Sequence, residues 1–188
     1  DWREHLDSNN TIAIDVNVAN SNITHSHYAA QKTKDAIVDY FQELVGSRPS
    51  VQLERPDIRV NAYINRNEVQ LSLDLSGDSL HRRGYRDEGS AAPLKENLAA
   101  AILMRAKWPE IASDGGGFVD FMCGSGTLPI EAAQIACDIA PGLLRDYYGF
   151  NRWKQHQPDT WAKLVSEAEA RKQGGLVRPP KVLGFDHH

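Results

Sequence analysis

Three stretches in the first part of the chain alternate hydrophobic with polar residues, the pattern of strands that bury one face. They cover residues 12–18, 58–64 and 69–75. Between the first two, hydrophobic residues recur every three or four positions from Ser26 to Val45, which predicts a helix that Gly46 ends. This strand-helix-strand-strand order predicts a small α+β module.

The second part of the chain has a different hydrophobic pattern, in which predicted helices alternate with short hydrophobic runs. Pro93 opens a predicted helix that ends near residues 108–109, and its predicted apolar face comprises Leu94, Leu98, Ala101 and Ile102. Buried strands are predicted at 118–121 and 181–186, and further helices at 128–136 and 158–172. Strands that alternate with helices predict an α/β Rossmann-like fold. We expect Trp153 and Trp161 to pack within the segment between the two strands.

Composition narrows the class of protein only a little. The chain has 188 residues, enough for one or two domains, and no hydrophobic run approaches the ~20 residues of a membrane span. Its two cysteines, Cys123 and Cys137, form no Cys-x-x-Cys pair, which argues against a metal site and fits a reducing cytoplasm. The net charge of −4 requires any RNA contact to use a local basic patch. Because the chain begins at Asp1 without Met, we expect a fragment.

The most specific chemistry lies where the first predicted Rossmann strand ends at Asp120. A glycine-rich loop follows, and Gly124 and Gly126 allow a sharp turn and close approach of a ligand. A phosphate-binding P-loop would carry Lys where Thr127 stands, and a dinucleotide fingerprint would carry a small residue where Pro129 stands. An acid at the strand end instead suits S-adenosylmethionine (SAM), whose ammonium needs an acceptor. An ordinary turn aspartate, with Thr127 as a helix N-cap, is the alternative interpretation.

Residues 118–136 resemble motif I of the THUMP-containing class I RNA methyltransferases, most closely the bacterial 23S rRNA guanine-N2 methyltransferases. Further similar segments are 56–60, 73–78, 83–86 and 92–96. Phe121 departs from the family, whose members carry Pro after the acid. The resemblance implies a partial THUMP-like module at residues 1–86 and the first part of a class I methyltransferase domain at residues 87–188, with a linker near 82–92.

The resemblance also implies which side chains bind SAM. The predicted cofactor-binding residues are Asp120, Cys123, Gly124, Ser125, Gly126, Thr127, Asp186 and Lys95. Asp186 ends the second predicted strand, where an acid holds ribose hydroxyls in nucleotide-binding Rossmann folds. Its distance from the glycines exceeds the usual ~20 residues, so an insertion must separate the strands. A solvent-facing Asp186 and a surface Lys95 are the plainer alternatives, and Glu131 is expected to be structural, in the first turn of its helix.

RNA contacts are predicted where cations lie beside an aromatic residue. The predicted RNA-binding residues are Arg82, Arg83, Tyr85, Arg86, Lys32 and Lys34. Arginines and lysines bind phosphates, and a tyrosine can stack on an unpaired base. The alternative is a solvated linker in which these cations pair with Asp87 and Glu88.

Transfer to an amino nitrogen needs a group that positions this weak nucleophile. In the resembling family an Asn-Pro-Pro-Tyr-like tetrapeptide does so, and this chain contains none, since its one Pro-Pro pair is Pro179-Pro180 between Arg178 and Lys181. The predicted partner of the parent protein is 23S rRNA. DNA adenine-N6 methylation, an RNA-binding fragment without catalysis and a nicotinamide-dependent oxidoreductase are the competing interpretations.

Overall fold

A computed structural model describes residues 1–85 and 94–187 of the chain. These residues form two compact units. The first unit contains Asp1–Asp78 together with Tyr147–Gln157, and the second contains the other described residues. The boundary expected at residues 86 and 87 therefore differs from this division in two places, since residues 79–85 lie in the second unit and residues 147–157 in the first.

The first unit is a four-stranded sheet with one long helix. After a short 3-10 helix at Trp2–Glu4, its elements are β1 (Thr11–Ala19), α1 (Ser26–Val45), β2 (Ser50–Val51), β3 (Ile58–Asn65) and β4 (Glu68–Asp74). The strand order is β2-β1-β3-β4, with β1 parallel to both neighbours and β4 antiparallel to β3. The predicted helix and the positions of the three predicted strands are confirmed, whereas the 3-10 helix and the two-residue β2 had no signal in the sequence. The expectation that each strand buries one face is wrong for β4, because Val69 and Leu71 on its hydrophobic face are about half exposed.

The core of the first unit lies between α1 and the sheet. Ile12 pairs with Ile58 across the parallel ladder, and both side chains are buried. Ile37 and Phe41, one turn apart on α1, are buried in the same cluster, so the 3.6-residue period of the helix matches the two-residue period of the strands. Gly46 ends α1 in a left-handed conformation, and its N–H donates to the Gln42 carbonyl.

A distant segment of the chain completes this unit. We call Tyr147–Gln157 the clasp segment. Trp153 packs against the hydrophobic cluster, stacks on His5, and donates from Nε1 to His5 Nδ1 at 3.2 Å. Further bonds join Tyr147 Oη to the Pro56 carbonyl at 2.9 Å, Arg152 to Asp57 at 2.9 Å and Lys154 to Asp7 at 2.7 Å. The prediction that Trp153 packs within the segment between the two predicted Rossmann strands is wrong, because Trp153 packs against residues from the first 60 positions of the chain.

Asp57 is the buried acid that fastens this segment, and its contribution to stability should depend on pH. Burial alone would raise the pKa of Asp57, but hydrogen bonds from the Thr11 N–H, Arg152 and Asn10 outweigh that effect and hold the pKa below its usual value. A depressed pKa stabilises the folded state above the unfolded pKa of about 4 and loses this effect as the pH falls through the folded value.

Asp57→Asn is therefore expected to lower the free energy of unfolding of the first unit at pH 7 by about 2 kcal/mol, with a smaller difference at pH 3. Urea unfolding at the two pH values measures this. The control is Asp15→Asn, because Asp15 pairs with Arg59 at 2.8 Å on the exposed surface, where an ion pair contributes less than about 1 kcal/mol. Equal effects at both pH values would contradict the role assigned to the Asp57 carboxylate.

The second unit consists of helices around a two-stranded parallel sheet. Its elements are α2 (Glu96–Arg105), α3 (Trp108–Ser113), β5 (Phe118–Asp120), α4 (Thr127–Ala136), α5 (Pro158–Gly175) and β6 (Val182–Gly184). β5 pairs with β6, so the two predicted Rossmann strands are neighbours. Leu103, Trp108 and Ala132 form the core, and Trp108 Nε1 donates to the Ala132 carbonyl at 2.8 Å.

Three predictions for this unit are wrong. The helix expected from Pro93 to residue 108 is two helices, because Lys107 has a left-handed backbone (φ +58°) and Pro109 lies inside the first turn of α3. The face of α2 that packs contains Ala99 and Leu103, whereas Leu98 and Ile102 are about half exposed. The strands are also less buried than their hydrophobic runs suggest, since both β5 and β6 contain exposed residues.

Among the described residues, no helix has the length and hydrophobicity that a bilayer span requires. Within the same residues, no three His, Cys, Asp or Glu side chains lie close enough together to share a metal ion.

Candidate functional site

The glycine-rich loop connects β5 to α4 in a tight turn. We call Cys123–Thr127 the motif loop. Gly124 and Gly126 both have positive φ angles, +53° and +79°, which an L side chain would strain. Gly126 caps α4, and Thr127 is the first helical residue with a buried side chain, so the alternative that Thr127 is the N-cap is wrong by one position. The turn is closed by the Gly126 N–H, which donates to the Cys123 carbonyl at 2.9 Å.

Asp186 meets this loop directly. The Gly124 N–H donates to Asp186 Oδ2 at 2.7 Å, and the Cys123 N–H donates to the Phe185 carbonyl at 2.9 Å. These bonds extend the β5–β6 pairing into the loop. Gly124 and Asp186 are therefore in direct contact although 62 residues separate them in the sequence. The Gly124 amide, and next the His187 amide, hold the pKa of Asp186 below its usual value. Asp186 is therefore ionised at neutral pH and ties the loop to the end of β6.

Cys123 has a packing role in this arrangement. A methyl group on Gly184 would come within 3.1 Å of Cys123 Sγ and 3.2 Å of Pro129 Cγ. The thiol thus fills the space that the bare glycine of β6 leaves, and the motif loop can lie close to the strand. The predicted contact between Cys123 and a cofactor stays a prediction.

The outer face of the loop is open and carries acceptors. No atom lies within 4 Å of the position that a Cβ on Gly124 would take. Asp120 accepts from the Met122 N–H through Oδ1 at 3.0 Å, which makes it the turn aspartate of the alternative interpretation, while its Oδ2 has no hydrogen-bond partner among the described residues. The hydroxyls of Ser125 and Thr127 lie 3.5 Å apart. An open backbone cradle with two carboxylates can bind an ammonium group and hydroxyls, so these residues fit SAM.

Lys95 is less closely tied to this site. It is the residue before α2, its side chain is exposed, and its carbonyl accepts from the Ala99 N–H at 3.0 Å. Within residues 1–85 and 94–187, no hydrogen bond joins its ammonium to the motif loop. A role for Lys95 in binding SAM stays a prediction.

Glu131 joins α4 to the segment that was predicted to contact RNA, with a solvated linker as the alternative. Its carboxylate is buried, accepts from Tyr85 Oη at 2.8 Å, and lies 3.4 Å from Arg83 Nε. The side chain of Arg83 is only 13 % exposed. Glu131 is structural, as expected, but it stands in the second turn of α4 rather than the first. No sequence signal links it to partners 46 and 48 residues away.

The other predicted RNA-binding residues differ in their surroundings. Arg82 is exposed. Lys32 is exposed and lies over the ring of Tyr28, and Lys34 pairs with Asp35 at 2.5 Å. Arg86 lies outside the described residues, and RNA binding by this set stays a prediction.

Comparison with known proteins assigns both parts of the chain. Residues 1–74 match the THUMP domain family, and residues 83–188 match the family described as RMKL-like, methyltransferase domain. A ribosomal RNA large subunit methyltransferase K/L of Syntrophotalea carbinolica is 56% identical over 98% of this chain and 26% of its own length. The protein of the same name from Methylococcus capsulatus is 55% identical over 99% of this chain and 25% of its own. The chain thus spans about a quarter of the length of these curated relatives.

Two solved structures resemble the whole chain. One is described as a predicted N6-adenine-specific DNA methylase from Listeria monocytogenes, with 29% identity, a TM-score of 0.80, and coverage of 100% of this chain and 47% of that one. The other, SMU.472, is described as a methyltransferase complexed with SAH, with 28% identity, a TM-score of 0.81 and coverage of 100% and 48%. The fold, a THUMP domain followed by a methyltransferase domain, is as the sequence predicted. The matched residues 83–188 make up more than half of the chain, which therefore belongs to the RMKL-like methyltransferase domain family.

Proposed function

We propose that the parent protein of this chain is a SAM-dependent 23S rRNA guanine-N2 methyltransferase of the cytoplasm, and that the motif loop and Asp186 form part of its cofactor site. The observation that carries the proposal is the 2.7 Å hydrogen bond from the Gly124 N–H to Asp186, which joins the two half-motifs at the ends of adjacent parallel strands. Ligands of open α/β sheets bind at this edge. The high identity to rRNA large subunit methyltransferases supports rRNA as the substrate.

The residues of this chain would bind and orient the cofactor. Asp120 Oδ2 would accept from the cofactor ammonium, and the remaining lone pair of Asp186 Oδ2 would accept from a ribose hydroxyl. SAM itself would supply a methyl group on a sulfonium. The sequence has no Asn-Pro-Pro-Tyr-like tetrapeptide, so we expect this chain alone to transfer no methyl group.

A DNA adenine-N6 methyltransferase is the second candidate, because the Listeria structure with 29% identity is described as such an enzyme. The two functions need the same chemistry at an exocyclic amino group. The THUMP match at residues 1–74 favours RNA.

Asp186→Ala in the parent protein tests the cofactor site. Loss of a charge-assisted hydrogen bond of roughly 1.5–3 kcal/mol should weaken SAM binding by about 10- to 100-fold in calorimetry, with no NAD binding in either form. Asp159→Ala, which removes an exposed acid from the first turn of α5, is the control. Unchanged SAM affinity in Asp186→Ala would remove this residue from the site.

Transfer of label from SAM to undermethylated 23S rRNA, with an adenine-containing DNA duplex as the competitor substrate, tests the substrate. The parent protein should label guanine N2 of the rRNA and leave the DNA unlabelled, and this chain alone should label neither. Label in DNA only would establish the second candidate, and transfer by this chain alone would place the catalytic group within it.

Arg82 and Arg83 provide a matched pair for the RNA interface. Arg82 is exposed and free to contact a phosphate, whereas the Arg83 guanidinium lies against Glu131. Arg82→Ala in the parent should lower the slope of log affinity against log salt for 23S rRNA by a little under about one unit, because one phosphate contact is lost. Arg83→Ala should leave the slope unchanged. A lower slope for Arg83→Ala with an unchanged slope for Arg82→Ala would show that Arg83 contacts a phosphate and that Arg82 does not.

A further inference from the structure

Glu131, Tyr85 and Arg83 form a polar cluster beside the first turns of α4. Its side chains are buried or partly buried and paired, unlike those of a solvated linker. Glu131 is 2 % exposed, and it holds Tyr85 through a 2.8 Å hydrogen bond and Arg83 through contacts of 3.4 and 3.5 Å. A buried carboxylate is costly unless it is paired and hydrogen-bonded. Tyr85 and Arg83 satisfy it from one short segment, so α4 and residues 83–85 are fastened to each other.

The position of Glu131 on α4 connects this cluster to the loop. Glu131 stands four residues after Thr127, so both side chains lie on the same face of the helix, and both are buried. The Ile130 N–H donates to the carbonyl of Gly126, which is the residue that caps α4 and shapes the loop. A shift or rotation of the first two turns of α4 would therefore move Gly126 and the backbone of the motif loop.

Hydrophobic packing against α4 is incomplete beside this cluster. A cavity of about 360 Å³ adjoins the cluster, and Arg83, Glu131, Ile135 and Met104 are among its lining residues. Side chains that line an open pocket have no protein atoms packed against them on that side. Elsewhere along α4, Trp108 donates to the Ala132 carbonyl at 2.8 Å. The polar cluster restrains the first two turns of α4 on the cavity side, and Arg171, which donates to Asp138 at 2.7 and 2.8 Å, restrains the helix where it ends.

We propose that Glu131, held by Tyr85 and Arg83, is a positioning residue that sets the geometry of the motif loop for cofactor binding. It acts through the orientation of α4 and does not itself touch the cofactor. The proposal has a loop half, that Glu131 sets the conformation of the motif loop, which rests on the structure alone. It also has a cofactor half, that this conformation is needed for SAM binding, which rests on the proposed function. Arg83 and Tyr85 then serve the methyltransferase site from within the domain.

Amide hydrogen exchange of this chain without any ligand tests the loop half. Glu131→Ala should speed exchange at Gly126 and Ile130 by at least about tenfold, because the first turn of α4 opens more often, while amides of β1 and β3 in the other unit stay unchanged. Glu131→Gln keeps an acceptor for Tyr85 and should restore most of the protection. If Glu131→Ala fails to fold, Tyr85→Phe removes a single oxygen and should give an increase of about threefold.

Calorimetry on the parent protein, well below its melting temperature, tests the cofactor half. Glu131→Ala should raise the SAM dissociation constant about tenfold and Tyr85→Phe about threefold. Tyr63→Phe removes a matching hydroxyl from a half-exposed tyrosine on β3 and should leave the constant unchanged. A variant that melts earlier yet keeps wild-type exchange at Gly126 and wild-type SAM affinity would overturn the proposal and leave Glu131 a purely structural residue. Failure of the wild-type parent to bind SAM would instead refute the proposed function, and the exchange result would stand independently.

Discussion

One methyl group added at Gly175 is expected to unfold the second unit. Gly175 is the last residue of α5, and its backbone lies against that of Cys137, directly after α4. A Cβ there would overlap the carbonyl group of Cys137 and come within 2.8 Å of its Cα. The atoms that the new Cβ would meet all belong to the backbone of Cys137, so they cannot move aside as a side chain can. Gly175→Ala should therefore lower the free energy of unfolding of the second unit by more than about 4 kcal/mol.

The neighbouring glycine supplies the control for this prediction. Nothing lies within 4 Å of the position that a Cβ on Gly174 would take. Gly174→Ala should therefore stabilise α5 by up to about 1 kcal/mol, as alanine does within a helix. Urea unfolding followed by amide exchange at Ala132 measures the second unit in both variants. Equal stability of the two variants would mean that α5 does not end against Cys137.

Replacement of the clasp segment by a flexible Gly-Ser linker of equal length is expected to unfold the first unit. The unit would lose the packing of Trp153 and the hydrogen bonds that Tyr147, Arg152 and Lys154 make. Burial of a large aromatic side chain contributes roughly 2–3 kcal/mol and each bond roughly 1 kcal/mol. The sum is comparable with the whole stability of a small domain, about 5–15 kcal/mol.

Amide exchange separates this effect from general damage to the chain. Amides of β1 and β3 should lose protection in the linker variant, and amides of α4 should keep theirs as the internal control. Trp153→Ala, a milder change, should produce part of the same loss. Persistent protection of β1 and β3 in the linker variant would show that residues 1–78 fold without the clasp segment.

Local periodicity explains what could be predicted from the sequence. The sequences of β1, β3 and β4 alternate hydrophobic with polar residues, and α1 places Ile37 and Phe41 on one face before a glycine that ends it. Each signal lies within about 20 residues of sequence and agrees with its neighbours. The same holds for the motif loop, where the positions of Gly124 and Gly126 dictate a turn with positive φ angles.

The packed face of α2 could not be predicted in this way. Hydrophobic residues occupy most of its circumference, so periodicity does not select one face. The chosen face uses the small Ala99 and the larger Leu103, because α4 packs closely against them. The break after Arg105 was also invisible, since Lys107 takes a left-handed conformation that sequence favours only at glycine or asparagine.

Contacts between distant residues account for the rest of the difference. Tyr85 reaches Glu131 across 46 residues, and Trp153 reaches His5 across 148. Neither contact produces a periodic pattern in the sequence, because each depends on how distant helices and loops pack together. A basic-aromatic segment such as 82–86 therefore read equally well as an RNA contact or a linker, and the bond to Glu131 was not among the alternatives.

The discontinuous first unit has a consequence for synthesis of the chain on the ribosome. All four strands described in its sheet have emerged once Asp78 has been made, but the clasp segment follows roughly 80 residues later. At ~5–20 residues per second, the sheet waits roughly 4–16 seconds for Trp153 and Arg152. During this interval Asp57 lacks its arginine and the site of Trp153 is open to water. Pauses in translation between codons 79 and 157 should therefore increase aggregation or proteolysis of the nascent chain, whereas pauses after codon 157 should not.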